Sequence, residues 1–288
     1  MSARTLSRVI TSIPTSDGGG VRLRRSIGHG PGVRLDPFLM LDEFASEDAR
    51  DYIAGFPPHP HRGFETVTYM IDGHMQHRDH LGNTGELVSG GVQWMTAGRG
   101  IVHSEMPQQE QGRMRGFQLW INLPAREKMK PASYRDLAPA EIPSATLASG
   151  VVVRVIAGEL DGGDGTTVAG PIQGLTTEPV YFDLAIPPDG RFAHALPASH
   201  NAFVYAYEGT VRIGSAAATG RVETHCAGIL GDGDEVTITA GPEGARCLLL
   251  AGKPLGEAIV QYGPFVMNTR DEIEQAIRDY QSGAFTRA

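Results

Sequence analysis

Cysteine is scarce in this chain of 288 residues: Cys226 and Cys247 are the only two, and no CxxC or other cysteine framework appears. A disulfide-stapled scaffold is therefore excluded, and nothing requires an oxidising compartment. Long apolar runs are missing as well. No segment approaches the roughly 18 consecutive apolar residues of a membrane span, and the opening Met-Ser-Ala-Arg-Thr-Leu-Ser-Arg lacks the apolar run of a secretory signal. There is no basic excess, since the formal net charge is −8 and the pI about 5.7. A chain this acidic is repelled by phosphate backbones, so no direct nucleic-acid partner is expected. Arg4, Arg8, Arg22, Arg24, Arg25 and Arg34 give the N-terminal stretch a local basic character, read as solvated charges on strand faces. These absences lead to the expectation of a cytoplasmic protein with no membrane partner.

Turn formers, by contrast, are plentiful, with 37 Gly and 19 Pro. They separate short runs of β-branched and aromatic character: Glu65–Ile71, Val92–Thr96, Gly116–Leu123, Val151–Ile156, Val180–Ile186, Ala202–Tyr207, Glu235–Thr239 and Arg246–Leu250. Strands of this length and spacing predict an all-β sandwich or barrel. Pro139–Ile142 reads as a short turn. One longer helix is expected near the C-terminus, where Thr269-Arg-Asp-Glu272 has the form of a capping box and Ile273, Ala276, Ile277 and Tyr280 share one face. A faint internal repeat relates Thr66-Val-Thr-Tyr-Met-Ile-Asp-Gly73 to Ala202-Phe-Val-Tyr-Ala-Tyr-Glu-Gly209. A period that long indicates two copies of a domain. The Pro- and charge-rich stretch from Ala125 to Pro143 is the natural linker, which divides the chain at 1–135 and 136–288.

The densest chemistry lies between His59 and Glu105. In an extended chain residues i and i+2 share a face ~6.5 Å apart, so both imidazoles of His59-Pro60-His61 can reach one ion. His103-Ser104-Glu105 repeats the device with an imidazole and a carboxylate. Three nitrogens and an oxygen suit a borderline divalent metal and leave positions for water, O2 or a chelating substrate. Glu65 shares the parity of His59 and His61, but an ideal strand carries it ~13 Å beyond His61. It is read first as a hydrogen-bonded carboxylate behind the ligands, with direct ligation of the same ion as the alternative if the strand bends. His74, His77 and His80 are read as facing solvent, Trp94 and Met95 as core or pocket wall, and Gln118 as a hydrogen-bonder in the pocket. Neither His194 nor His200 forms an i,i+2 pair in the second copy, which reads as metal-free.

At these residues the sequence resembles the pirin family of the cupin superfamily. The likeness is carried by Phe56-Pro-Pro-His-Pro-His-Arg-Gly-Phe-Glu-Thr-Val-Thr-Tyr69 and Gln93-Trp-Met-Thr-Ala-Gly-Arg-Gly-Ile-Val-His-Ser-Glu-Met-Pro107. Asp36-Pro-Phe-Leu-Met-Leu-Asp-Glu-Phe44, Gly116-Phe-Gln-Leu-Trp-Ile-Asn-Leu123 and Gly263-Pro-Phe-Val-Met-Asn268 add to it. The resemblance implies a bicupin: two stacked double-stranded β-helix barrels of jelly-roll type with a C-terminal helix, metal residing in the N-terminal one. It implies metal ligation by His59, His61, His103 and Glu105, with Fe(II) the first choice and Zn, Mn, Ni, Co or Cu the alternatives. It implies quercetin 2,3-dioxygenase activity, opening a flavonol ring with O2, for which Glu105 or Glu65 is the candidate catalytic base. The alternative it carries is a redox- or metal-responsive regulator that binds a transcription factor or metabolic enzyme.

Overall fold

A computed structural model describes residues 2–30, 32–163, 165–214 and 219–286. The short extended runs pair into antiparallel ladders, as a chain punctuated by turns every few residues must to satisfy its backbone groups. The chain folds into two compact units. One comprises Pro14–Gly28, Phe38–Pro139 and Leu255–Ala288; the other comprises Met1–Ile13, His29–Pro37 and Ala140–Pro254. A single boundary at 135/136 puts the first 13 residues with the histidine pairs and the last 34 apart from them, whereas in the compact units both tails change sides.

The unit that carries the histidine pairs contains β1 (Ile13–Asp17), β2 (Val21–Arg25), β3 (Phe38–Ser46), β4 (Phe56–His61), β5 (Phe64–Asp72) and β6 (His74–Asp79). It continues with β7 (Thr84–Val88), β8 (Val92–Thr96), β9 (Ile101–Pro107), β10 (Met114–Asn122) and β11 (Ser133–Leu137). Seven strands form one sheet in the order β11-β8-β5-β10-β3-β2-β1, and four form the other in the order β4-β9-β6-β7. Side chains alternate along each strand, so one set on each sheet faces inward. On β5 the inward set is Phe64, Thr66 and Thr68: Phe64 meets the His61 ring at 5.1 Å, and Thr68 bonds to Glu105. Apolar packing comes from Val21, Leu23, Phe44, Met70, Met75, Leu87 and Met114, and from a second group with Leu39, Met40, Phe64, Trp120 and Val266.

The C-terminal segment belongs to this same unit. β12 (Phe265–Met267) runs beside Arg62, with Val266 N–H donating to the Arg62 carbonyl at 3.0 Å. The expected helix follows as α1 (Arg270–Gln281), and its capping box is present: Thr269 accepts from the Glu272 N–H while the Glu272 carboxylate accepts from the Thr269 N–H. Ile273 and Ala276 are buried against Phe265, Met267 and Phe285.

The other unit is built on two long strands, Asn201–Ile213 and Glu235–Gly252, paired with each other. Glu235–Thr239 and Arg246–Leu250, read from sequence as separate strands, are two parts of one. The first part pairs with Arg191–Ala195 and the second with Val180–Ile186. Gly241-Pro-Glu-Gly244 is where the strand bends from one partner to the other, not a reversal. The core between these strands is apolar and continuous, with Phe182, Phe192, Val204, Val236, Ile238 and Leu249 at 0% exposure. The Leu6–Thr11 strand pairs with Cys226–Leu230 and belongs to this unit. Among the described residues the fold is all-β apart from α1 and short 3-10 turns, one of them at Pro139–Glu141. Among the described residues no helix is long and apolar enough to cross a membrane.

Candidate metal centre

β4 and β9 lie side by side with His59 opposite His103 and Ile101 opposite His61. On its other edge β9 pairs with β6, with His103 opposite Asp79 and Glu105 opposite His77. Three imidazoles therefore meet: ring centroids lie 4.7 Å apart for His59 and His61, 4.4 Å for His59 and His103, and 4.9 Å for His61 and His103. One nitrogen from each falls within 4.8 Å of the others.

The orientation of these rings tests whether a cation fits. His59 Nδ1 sits 2.8 Å from the Pro57 carbonyl, which only accepts, so Nδ1 carries the proton and Nε2 is left as a lone pair. That Nε2 lies 3.0 Å from His61 Nε2. Two cis nitrogens bonded to one metal at ~2.1 Å stand ~3.0 Å apart. His103 Nε2 is buried and has no hydrogen-bond partner. Burial, reinforced by the neighbouring imidazoles, holds His61 and His103 well below the ordinary imidazole pKa, so both are neutral and available as donors. The donor set fits a borderline divalent metal.

Glu105 is the fourth expected ligand. It is 2% exposed, its Oε1 accepting from Thr68 Oγ1 at 3.0 Å and its Oε2 from Gln118 Nε2 at 3.2 Å. Among the described residues no lysine or arginine pairs with it, which leaves a buried carboxylate held by neutral donors alone. It lies two residues from His103 on the same face of β9, across a register irregularity, and is not one of the three groups within mutual 4.8 Å reach. Glu65 takes the opposite face of β5 from Phe64 and Thr68. Thr96 Oγ1 donates to it at 2.7 Å, Lys130 approaches to 3.9 Å, and burial raises its pKa.

Beside the histidines lies a cavity of about 550 Å³, lined by His59, His61, Gln118, Trp120, Met40 and Arg25 among others. That size falls within the ~300–1,000 Å³ of small-molecule sites. Trp120 lines the cavity beside His61, and Phe64, 4.3 Å from Trp120 with 34° between the rings, packs against both. Gln118 both borders the cavity and holds Glu105, as a pocket hydrogen-bonder should. Trp94 and Met95 are buried and do not line it. Arg62, next to His61, donates from Nη1 to Asp279 of α1 at 2.8 Å and lies 4.5 Å over the Phe285 ring.

Of the three histidines read as facing solvent, His74 does so in part, paired with Glu86 at 2.6 Å. His80 is half-buried and accepts the Val102 N–H. His77 corrects the reading. It is 1% exposed, its Nδ1 lies 3.3 Å from His103 Nδ1, and Tyr134 stacks on it at 4.4 Å. A sequence signal for it exists: His77 and Asp79 are another i,i+2 pair, like His59 with His61 and His103 with Glu105.

Comparison with known proteins agrees with this geometry. Residues 20–121 match the family described as Pirin, and residues 181–286 match the Pirin C-terminal cupin domain. A Pseudomonas aeruginosa protein, provisionally named a quercetin 2,3-dioxygenase, is 53% identical over 97% of this chain and 97% of its own length. Human pirin is 41% identical over 98% of this chain and 93% of its own length. The crystal structure of quercetin 2,3-dioxygenase from Acinetobacter baumannii superposes with a TM-score of 0.88 at 32% identity, covering 99% of each chain. Both units are thus cupin barrels.

Proposed function

The chain belongs to the pirin family, and from that premise we propose that it is a metal-dependent dioxygenase of quercetin 2,3-dioxygenase type. The observation that carries the proposal is the convergence of nitrogens from three imidazoles beside a cavity that Trp120 and Met40 help to line. His59, His61, His103 and Glu105 would hold the metal, with Fe(II) the first choice. When bound, that ion supplies Lewis acidity and an electron path between substrate and O2.

The protein's own residues do the rest. Trp120, Met40 and Leu39 offer apolar surface to an aromatic ring and exclude water from it, with Phe64 packed against Trp120 from outside the lining. Glu105 takes the proton from the flavonol 3-hydroxyl, and Gln118 and Thr68 hold its carboxylate in place for that transfer. The half-buried His59 and the buried His61 both border the cavity, while His103, at 2% exposure, packs against the two of them. In the overall reaction flavonol and O2 give a ring-opened depside and carbon monoxide, both oxygen atoms entering the products.

Iron-loaded protein incubated with quercetin should consume O2 and release carbon monoxide in equal amounts, with His61→Ala inactive. Turnover no greater than that of His61→Ala would overturn the proposal and favour a metal-responsive binding module.

A further inference from the structure

We infer that His77 is a positioning residue that sets the tautomer of His103 and so aims a lone pair at the metal site; this rests on the metal-centre reading above. The chain of constraints runs inward from Asp79. Its carboxylate accepts from Leu81 N–H at 2.9 Å, Asn83 N–H at 3.0 Å and Asn83 Nδ2 at 2.8 Å, and it can only accept. His77 Nε2, 3.4 Å from Asp79 Oδ2, is therefore the donor of that pair, and both side chains are 0% exposed. A neutral imidazole that donates from Nε2 accepts at Nδ1. The atom 3.3 Å from His77 Nδ1 is His103 Nδ1, which must then carry a proton and donate it. His103 Nε2 is left as a lone pair, and it is a buried, unpartnered atom of a ring that packs against those of His59 and His61.

Every bond in this row points the same way, so the carboxylate of Asp79 fixes the protonation pattern of a ligand two imidazoles away. The row is also held mechanically. Tyr134 stacks on His77 with 22° between the rings, accepts from Gln93 Nε2 at 3.1 Å, and donates to Asp136. Opposite His77 in the ladder is Gly85, and a Cβ there would stand 1.7 Å from the Tyr134 hydroxyl oxygen. Glycine is what lets the tyrosine close over the ring.

The test compares Co(II) affinity, read by visible absorption against a competing chelator, in wild type, His77→Phe and His77→Gln. Phe keeps a flat ring and loses the acceptor; Gln can accept from His103 Nδ1 through Oε1 and donate to Asp79 through Nε2. Loss of such an outer partner typically costs ~10–100-fold in metal affinity. The expected result is a loss of that size for Phe and recovery to within a few-fold of wild type for Gln. Equal affinities for all three, or an equal loss for both variants, would overturn the inference. Long-range ¹H–¹⁵N correlation spectra of the Zn(II)-loaded wild type provide a check independent of variant folding: His77 should be protonated at Nε2 and His103 at Nδ1. The opposite tautomer at His77 would overturn it equally. A wild type that binds no Co(II) or Zn(II) sinks the metal-centre reading itself, a result distinct from either of these.

Discussion

Glu105 is an ionisable side chain buried with only a hydroxyl and an amide for partners among the described residues. Uncompensated buried charge costs several kcal/mol, so without a cation the residue is a liability. Glu105→Gln should therefore act with opposite signs on two measurements. Thermal unfolding of the metal-free protein should show unchanged or raised stability, while Co(II) titration should show affinity lower by tenfold or more. Destabilisation of the metal-free form with unaltered affinity would mean that the carboxylate serves only the fold. At this scale the sequence is most legible where chemistry repeats at i,i+2: His59 with His61, and His103 with Glu105, share a face because strand geometry allows nothing else. His77 obeys the same parity and still lies on the side opposite to the one expected. Alternation says which residues share a face; whether that face is inside depends on how β6 lies against β9, which only the three-dimensional register reveals. Glu65 shows the converse case. Its parity matches the histidines, but the chain turns between His61 and Phe64, where Gly63 sits at φ +89°, and the count restarts on a new strand in the other sheet.

The segments around the site are tied together by one buried cation. Lys128 is 1% exposed, and its ammonium donates to the Gly63 carbonyl at 2.7 Å, Asn122 Oδ1 at 2.6 Å and the Val266 carbonyl at 3.0 Å. Three donors meet three acceptors on three segments: the turn after β4, the end of β10, and β12. Lys128→Met keeps the aliphatic stem and strands all three acceptors, each costing ~1–3 kcal/mol when left buried and unpaired. The variant should lose about 3 kcal/mol or more in urea unfolding, far beyond the effect of an exposed lysine such as Lys253; a loss below ~1 kcal/mol would show that water replaces the ammonium. Nothing in the sequence marks this lysine, because its partners lie up to 138 residues away in the chain. Elements whose determinants are local are legible. The Thr269–Glu272 box starts α1 where expected, and Val92–Thr96 and Val180–Ile186 coincide with strands. The bend in Glu235–Gly252 is not legible, since Gly-Pro-Glu-Gly looks the same whether a strand reverses or changes partner.

Across the whole molecule, stability should depend on pH through histidines that the fold keeps neutral. His194 is the cleanest of these because it lies in the unit without the three-histidine cluster, with Phe182 and Phe192 rings 5.0 and 6.0 Å away. Burial pushes its pKa down to about 4, only partly opposed by Asp161. An unfolded imidazole titrates near 6.5. Between about pH 6.5 and 4 the unfolded chain binds a proton that the folded chain refuses, so stability is fully present above pH 6.5 and falls as the solution is acidified. One refused proton is worth about 1.4 kcal/mol per pH unit, which accumulates to about 2 kcal/mol by pH 5. His61, His103 and His200 are shifted in the same direction and steepen the wild-type profile, so the contribution of His194 has to be read as a difference. His194→Phe adds a ring of similar shape to an aromatic neighbourhood and removes the titrating group. Denaturant unfolding of variant and wild type should give a constant difference above pH 7, changing in the variant's favour by up to about 2 kcal/mol as the pH reaches 5. A difference that stays flat across that range would mean that the native state takes up the proton at His194 as readily as the unfolded chain, and the aromatic surroundings would then not be what keeps the imidazole neutral.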